Sequence, residues 1–318
     1  MARIGTSDLD VFPIGLGGNV FGFTADVDES FAILDGWADG GADFIDTADV
    51  YSAWVPGNAG GESETIIGRW LAARPGARKR TVIATKGSQH PDYLGLGAAT
   101  VRAAAEASLG RLGIERIDLY YAHYDDTDTP LAETVEAFGA LVTDGLVRHV
   151  ALSNYTPERI EEWIALAAGG PATPVAVQPY YNLVHRNEVE EHLVPLAERA
   201  GFSLVPYFGL EKGFLTGKYR TPELPVGASP RAAAAVKFVT PHGLAVLDAL
   251  DAVAAAHGAT PAAVALAWLR AQPTVVAPLA SASSVDQVAD LLAAGRLELT
   301  GEEIAELSRV STWTPPAA

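Results

Sequence analysis

"GLGGNVFG", residues 15–22, is the stretch on which the fold turns. It closes an apolar run, "FPIGLG" (12–17), and would open a dinucleotide-binding turn if its glycines kept the spacing G-x-G-x-x-G. They do not. Glycines stand at 15, 17, 18 and 22, and the third required position is Val20. The close approach of backbone to a pyrophosphate is not built in that way here, which argues against a doubly wound nucleotide-binding sheet.

Outward from this stretch, seven more short apolar runs follow: "ADFIDTA" (42–48), "RTVIATK" (80–86), "IDLYYAH" (117–123), "RHVALSN" (148–154), "VAVQPY" (175–180), "FSLVPYF" (202–208) and "TVVAPLA" (274–280). Most are continuously apolar, as strands covered on both faces should be. Helix-length segments separate them. The Ala-rich segment from 98 has Gly113 as its terminator. "TPLAETVEAFGALVTDG" starts with Thr129 as N-cap, Pro130 at the first helical position and Glu133 placed for a capping interaction, and "TPERIEEWIALAA" repeats the Thr-Pro start at 156–157. Eight such units predict α/β architecture, a single closed (β/α)8 barrel over residues 1–318 with its chemistry at the C-terminal face. Residues 219–240, with three prolines, exceed an average connection and read either as a surface loop or as a flap over that face. "LELTGEEIAELSRVSTW" predicts a last helix outside the barrel.

Composition narrows the partners. Of 318 residues 49% are hydrophobic, enough for a sizeable core, and 22 Lys and Arg against 39 Asp and Glu leave a formal charge of −17. Such a field repels nucleic acid and anionic lipid, so neither is expected as a partner. A phosphate-bearing ligand must be met locally, by backbone N–H groups or a few cations. The absence of cysteine excludes disulfides, thiolate metal sites and cysteine nucleophiles. No apolar run follows the basic start "MARIGTSDLDVF" and no stretch reads as a membrane span, so a cytoplasmic protein is expected.

The strand ends carry Gly18 and Asn19, Asp46 and Tyr51, Lys86, His123, Ser153 and Asn154, Gln178, and Tyr207. Singly, each has a bland alternative: a turn cap, an interface aromatic, a core histidine. Lys86 is the hardest to read that way. The chain has only five lysines, this one follows "VIAT" directly, and a lysine placed there needs a carboxylate. Asp46 is the natural partner. A lysine so held beside Tyr51 favours the phenolate, drawing its pKa down from about 10 so that it serves as a general acid toward a developing alkoxide. His123 is placed to hydrogen-bond the same oxygen. This is chemistry for reducing a carbonyl, given a hydride source. Asp49 of the same loop takes no role and reads as ordinary loop polarity. A glycosidase would pair Asp46 with Asp125 or Asp126 but leave Lys86 and Tyr51 idle. Only His123 of the seven histidines ends a strand, so no metal site is expected.

With those residues in place, the chain closely resembles the aldo-keto reductase superfamily, in its bacterial and potassium-channel-β-like branch. The resemblance rests on "GLGGNVFG", "FIDTADVYSAW…GGESETIIGRWL", "VIATKG", the long stretch from "SLGRLGIERIDLYYAHYDD" to "LSNYTPERI", "VQPYYNLVHR" and "LVPYFGLEKGFLTGKY", in order along nearly the whole chain. It implies that Asp46, Tyr51, Lys86 and His123 are the catalytic tetrad. It assigns Ser153, Asn154 and Gln178 to a nicotinamide carboxamide and Tyr207 to stacking on the nicotinamide ring. Leu210, Lys212, Gly213 and Lys218 match the segment that lies along the pyrophosphate, and Gly18, Asn19 and Asp46 fall with the cofactor residues. Phe208 departs from the family's serine after the stacking tyrosine. In "PLASASSVDQVADLL" (278–292), which matches the segment holding the adenosine 2′-phosphate, Ser281 stands for a glycine, Ser284 for Lys or Arg and Asp290 for Asn, with Ser283 and Gln287 between them. Family habit favours NADP(H) slightly over NAD(H), and this lost cation makes NAD(H) a live choice. Phe21, Trp54 and Tyr124, with Phe214 or Trp313, suggest an aromatic substrate pocket for a neutral aldehyde, ketone or sugar-like compound. The expected partner is a small carbonyl or alcohol, with a homo-oligomer left open. The alternative within the resemblance is an accessory subunit that senses cofactor without turnover.

Overall fold

The structure, a computed structural model, describes residues 1–224 and 230–312. An antiparallel hairpin, β1 (Ala2–Arg3) and β2 (Asp10–Val11), precedes eight parallel strands: β3 (Gly15–Gly17), β4 (Phe44–Asp46), β5 (Val82–Gly87), β6 (Ile117–Ala122), β7 (Val147–Ser153), β8 (Pro174–Gln178), β9 (Ser203–Leu204) and β10 (Leu279–Ala280). Each matches one of the eight runs, with β5 ending one residue beyond its run and β7 and β8 each starting one residue before theirs. β10 pairs with β3, with Leu279 opposite Gly15. On its other side the same segment meets β9: Leu204 N donates to the Thr274 carbonyl, Val276 N to that of Leu204 and Leu279 N to that of Pro206. The sheet therefore closes on itself as a (β/α)8 barrel.

Period two explains why the runs are apolar throughout. In β6 Leu119 and Tyr121 join the barrel interior, while Tyr120 and Ala122 pack toward the helices. Ile4, Leu9 and Val11 of the hairpin pack with Phe44, Leu119, Tyr121 and Val205, filling the interior from the N-terminal end. The hairpin is absent from the sequence reading, because two-residue strands carry no period.

The helices are α1 (Val27–Asp39), α2 (Glu62–Ala73), α3 (Ala77–Arg80), α4 (Ala98–Leu112), α5 (Leu131–Thr143), α6 (Pro157–Ala167), α7 (Val194–Ala200), α8 (Ala232–Ala235), α9 (Pro241–His257), α10 (Pro261–Arg270), α11 (Val285–Ala294) and α12 (Gly301–Val310). α12 is the expected last helix. Gly113 closes α4 with φ +64, and Thr156 caps α6 by accepting from Arg159 N, both as expected. α5 differs. Its N-cap is Pro130, Thr129 donates instead to Asp126, and Glu133 reaches across to accept from Ala98 N at the start of α4. Gly97, the N-cap of α4, has no side chain to do this, so the neighbouring helix supplies the acceptor.

α9, missing from the sequence reading, starts with Thr240 and Pro241 in the same manner as α6. It follows the 219–240 stretch, of which 225–229 lie outside the described residues. The part from 230 is folded rather than an open loop: α8 and a 3-10 turn (Val236–Phe238), with Ala232 and Ala235 buried against Phe214 and Leu215. Among the described residues no single helix is long and apolar enough to cross a membrane.

Candidate active site

At the C-terminal face β4 and β5 are in register, with Asp46 opposite Ala84. That puts the Lys86 side chain beside the end of β4. Lys86 Nζ donates to Asp46 Oδ1 at 2.5 Å, to the Thr47 carbonyl at 2.7 Å and to the Tyr51 hydroxyl at 3.1 Å. All three of its donors have acceptors, which is what a wholly buried ammonium requires. The second Asp46 oxygen accepts from Gln178 Nε2 at 3.0 Å. Burial pulls Lys86 down, but Asp46 and Tyr51 outweigh it and its pKa lies above the ordinary lysine value, so it stays charged. Burial pushes Asp46 up, against the pull of Lys86 and Gln178.

Tyr51 departs from expectation in its proton. Burial raises the phenol above its ordinary value, and Lys86 only partly offsets this. The phenol is therefore protonated at neutral pH, the form a proton donor needs. His123, on the loop after β6, lies 6.2 Å from the Tyr51 ring centroid to centroid. Burial and then Lys86 hold its pKa well below the ordinary histidine value, and its Nδ1 has no partner among the described residues. It is a neutral imidazole with one N–H to offer.

Asn154, in the left-handed region at φ +58, joins three of the assigned residues. Its Nδ2 donates to the His123 carbonyl and to Ser153 Oγ, and its Oδ1 accepts from the Tyr207 hydroxyl. Ser153 Oγ in turn donates to the Gln178 carbonyl. Tyr207 stacks on Tyr180 at 5.6 Å and 23°, and Tyr180 on His185 at 3.9 Å. Phe208, also left-handed, stands edge-on to Tyr207, with Lys212 Nζ 4.9 Å over its ring. Glu211, Lys212 and Gly213 are three successive left-handed residues. Glu211 is buried, accepting from the Tyr180 hydroxyl and Asn182. A Cβ at Gly213 would meet the Lys218 side chain at 3.6 Å, so Lys212 and Lys218 flank one backbone turn. Two lysines beside such a turn make a donor set that suits a phosphate. Leu210 is half-buried and packs into the core beneath.

Across the barrel, Gly18 N donates to the Asp46 carbonyl, and Ser281 Oγ donates to Asn19 Oδ1 at 2.8 Å. Ser283 N donates to Gln287 Oε1, and its hydroxyl lies 3.3 Å from that of Thr24. Ser284 is the N-cap position of α11 but makes no cap bond, and Asp286 and Asp290 follow on the helix. At the mouth, Trp54 and Tyr124 are about half exposed, and Phe23, absent from the sequence reading, meets Trp54 edge-on at 5.8 Å. Phe21 and Phe214 are fully buried in the core and line no mouth. Trp313 lies outside the described residues.

Two carboxylates change their reading. Asp125 is bound by Arg159 through two hydrogen bonds, and Asp126 accepts from Leu96 N and Thr129, so neither faces Asp46 as a glycosidase partner. Asp49 is not loop polarity. It is fully buried with no partner for either carboxylate oxygen among the described residues. Burial and then Glu64 push its pKa up to about 7, against the pull of Arg111. Glu64, also buried, accepts from Thr85 and Arg111. Nothing in the spacing of "DTADVY" distinguishes a buried aspartate from an exposed one.

The fold and site together define a barrel of enzyme type, with a lysine-held phenol at the mouth and a phosphate-suited turn beside it. The chain belongs to the aldo/keto reductase family, whose profile matches residues 13–312. Among known proteins it is similar to "Protein tas" of Escherichia coli (31% identical, 99% of each chain). It is similar also to "Aldo-keto reductase str7" of Strobilurus tenacellus (29%, 98% of this chain and 89% of that one). A third relative is the "Probable voltage-gated potassium channel subunit beta" of Oryza sativa (30%, 91% and 88%).

Proposed function

We propose that this family member reduces an aldehyde or ketone, or oxidises the corresponding alcohol, with a nicotinamide cofactor. The carrying observation is the single buried ammonium bonded at once to Asp46 and to the Tyr51 hydroxyl. A nicotinamide cofactor, when bound, supplies or accepts the hydride. Ser153, Asn154, Gln178, Tyr207, Lys212 and Lys218 are the residues to hold it. Tyr51 gives its proton to the carbonyl oxygen as charge develops there, and Lys86 stabilises the phenolate left behind. Asp46 keeps Lys86 charged and in place. His123 donates its N–H to the same oxygen and orients the substrate. NADP(H) is the slightly favoured cofactor, with NAD(H) accepted.

The test follows loss of reduced-cofactor absorbance over a panel of carbonyl compounds. Tyr51→Phe keeps the ring and loses the proton, so turnover is expected to fall by about 100- to 10,000-fold while cofactor still quenches tryptophan fluorescence. Cofactor binding with no turnover of any carbonyl would favour the accessory reading, to which the name of the rice relative lends weight.

A further inference from the structure

Behind Tyr207, the ring proposed above to hold the nicotinamide, lies a buried charge. The Tyr207 hydroxyl is tied to Asn154 Oδ1, and one face of its ring is covered by Tyr180, 5.6 Å away and tilted by 23°. The Tyr180 hydroxyl in turn donates to the Glu211 carboxylate, 2.6 and 2.5 Å from its two oxygens. Asn182 Nδ2 donates to Glu211 Oε2 at 2.9 Å and to the Phe208 carbonyl, which fixes the carboxylate against the turn after the strand end. Glu211 is wholly buried. Burial, then Glu211, pushes the Tyr180 phenol up, so it keeps its proton and remains the donor. The side chains bonded to the Glu211 oxygens are thus donors, as an ionised carboxylate requires.

A carboxylate here works against the turn beside it. Lys212 and Lys218 flank Gly213, where phosphate is suited, and the chain already carries a formal charge of −17. A buried anion without full compensation is costly. Lys212 compensates it in part: its Nζ stands 3.6 Å from Glu211 Oε1, over the rings of Phe208 at 4.9 Å and Tyr180 at 5.4 Å. A phosphate at that turn draws on the same ammonium, which leaves Glu211 in need of another positive charge. The nicotinamide ring carries one in its oxidised form and none in its reduced form. Away from water a carboxylate still acts over about 10 Å, the scale of two stacked rings, so it favours the cationic form.

We propose that Glu211, acting through the Tyr180–Tyr207 stack, biases the site toward the oxidised cofactor and so drives bound carbonyl toward alcohol. Carbonyl reduction takes a hydride from the ring and the proton of Tyr51, and leaves the ring cationic and Tyr51 a phenolate. It is therefore the direction that a carboxylate behind Tyr207 favours. This inference rests on the reductase reading above, and its test separates the two.

Titration by tryptophan fluorescence gives Kd for NADP+ and NADPH, and again for NAD+ and NADH. Within a pair the phosphates are identical, so the ratio of oxidised to reduced Kd reports the ring alone. Glu211→Gln keeps the shape and removes the charge, and should raise that ratio by about 3- to 10-fold in both pairs. Tyr180→Phe breaks the same hydrogen bond but keeps the carboxylate, so its ratio should stay within about twofold of the wild type. Lys212→Met, at a half-buried position, removes the opposing cation and should lower the ratio by about twofold or more. Thermal unfolding is followed for each variant, and Lys212→Met decides the matter if Glu211→Gln does not fold. An unchanged ratio in Glu211→Gln overturns the proposal. So does an equal shift in Tyr180→Phe, which would assign the effect to the hydrogen bond, or a Lys212→Met ratio that does not fall. If the ratios move as expected but no carbonyl is turned over, the reductase reading fails and the bias toward the oxidised form stands. If neither form of either cofactor binds, both readings fail.

Discussion

Asp49 shows what a strand-end motif conceals. It lies two residues from Tyr51, and its backbone N–H is bonded to the Lys86 carbonyl, yet its carboxyl is buried among Glu64, Arg111 and Tyr120 rather than turned to the site. Its folded pKa of about 7 stands above the value near 4 expected in the unfolded chain. A raised carboxyl binds its proton more tightly in the folded state, so the stability it allows is present at low pH and is lost as pH rises toward and through 7. Between pH 5 and 8 that loss is roughly 2–3 kcal/mol. Asp49→Asn, which cannot ionise, should flatten the fall in Tm over this interval whatever its absolute stability. Equal slopes for the two proteins in a calorimetric pH series would show that Asp49 does not titrate there.

Elements were most legible where the signal was local. Thr156 with Pro157, and Gly113 at a left-handed C-cap, are decided by one or two residues and their backbone angles. Glu133 was not legible in the same way, since its acceptor role depends on where α4 begins relative to α5. The packing of α2 on α4 is a second case that only the fold reveals. A Cβ at Gly68 of α2 would stand 2.3 Å from the Arg111 carbonyl oxygen and 2.8 Å from the Leu112 carbonyl. Those are backbone atoms, so no rotamer change relieves the contact. Helix propensity favours alanine there by about 1 kcal/mol, whereas forcing two helices apart costs about 1–3 kcal/mol or more. Gly68→Ala should therefore lower stability in urea unfolding. It should also disturb the Arg111–Glu64 pair beside Asp49. A variant at least as stable as the wild type would mean that the helices separate at little cost.

For the molecule entire, closure of the barrel could be inferred only by counting units. Run length and apolarity suit an open parallel sheet equally, and the excluded glycine spacing at Val20 tipped the choice. The grouping of Asp46, Tyr51, Lys86 and His123 could be read because strand ends place them, and strand ends are countable. The state of Asp49 could not, because it depends on burial without a partner among the described residues, which only three dimensions reveal.

Charge distribution poses the last question at this level. With −17 overall, an anionic cofactor is held only where local donors outweigh the field. Lys212 and Lys218 supply them at the Gly213 turn, but α11 supplies none beyond Ser283, Ser284 and Gln287. α1 packs against α11 near Gly36 and Gly40, and its first turn adds Asp28 and Glu29 to Asp286 at that end of the barrel. On the cofactor reading proposed above, a 2′-phosphate there would meet hydroxyls and carboxylates where a guanidinium would be worth about 10-fold or more in binding. The wild type should therefore prefer NADPH to NADH by less than about 50-fold, a difference of roughly 2.3 kcal/mol. Ser284→Arg restores the cation at a position whose hydroxyl makes no cap bond, so the helix loses little by the change. Fluorescence titration should show NADPH binding tightened about 10-fold and NADH moved by less than about threefold. A wild type already preferring NADPH more strongly than the limit would place the phosphate's recognition elsewhere. An arginine that tightens both cofactors alike would show that it acts through the general field rather than on the 2′-phosphate.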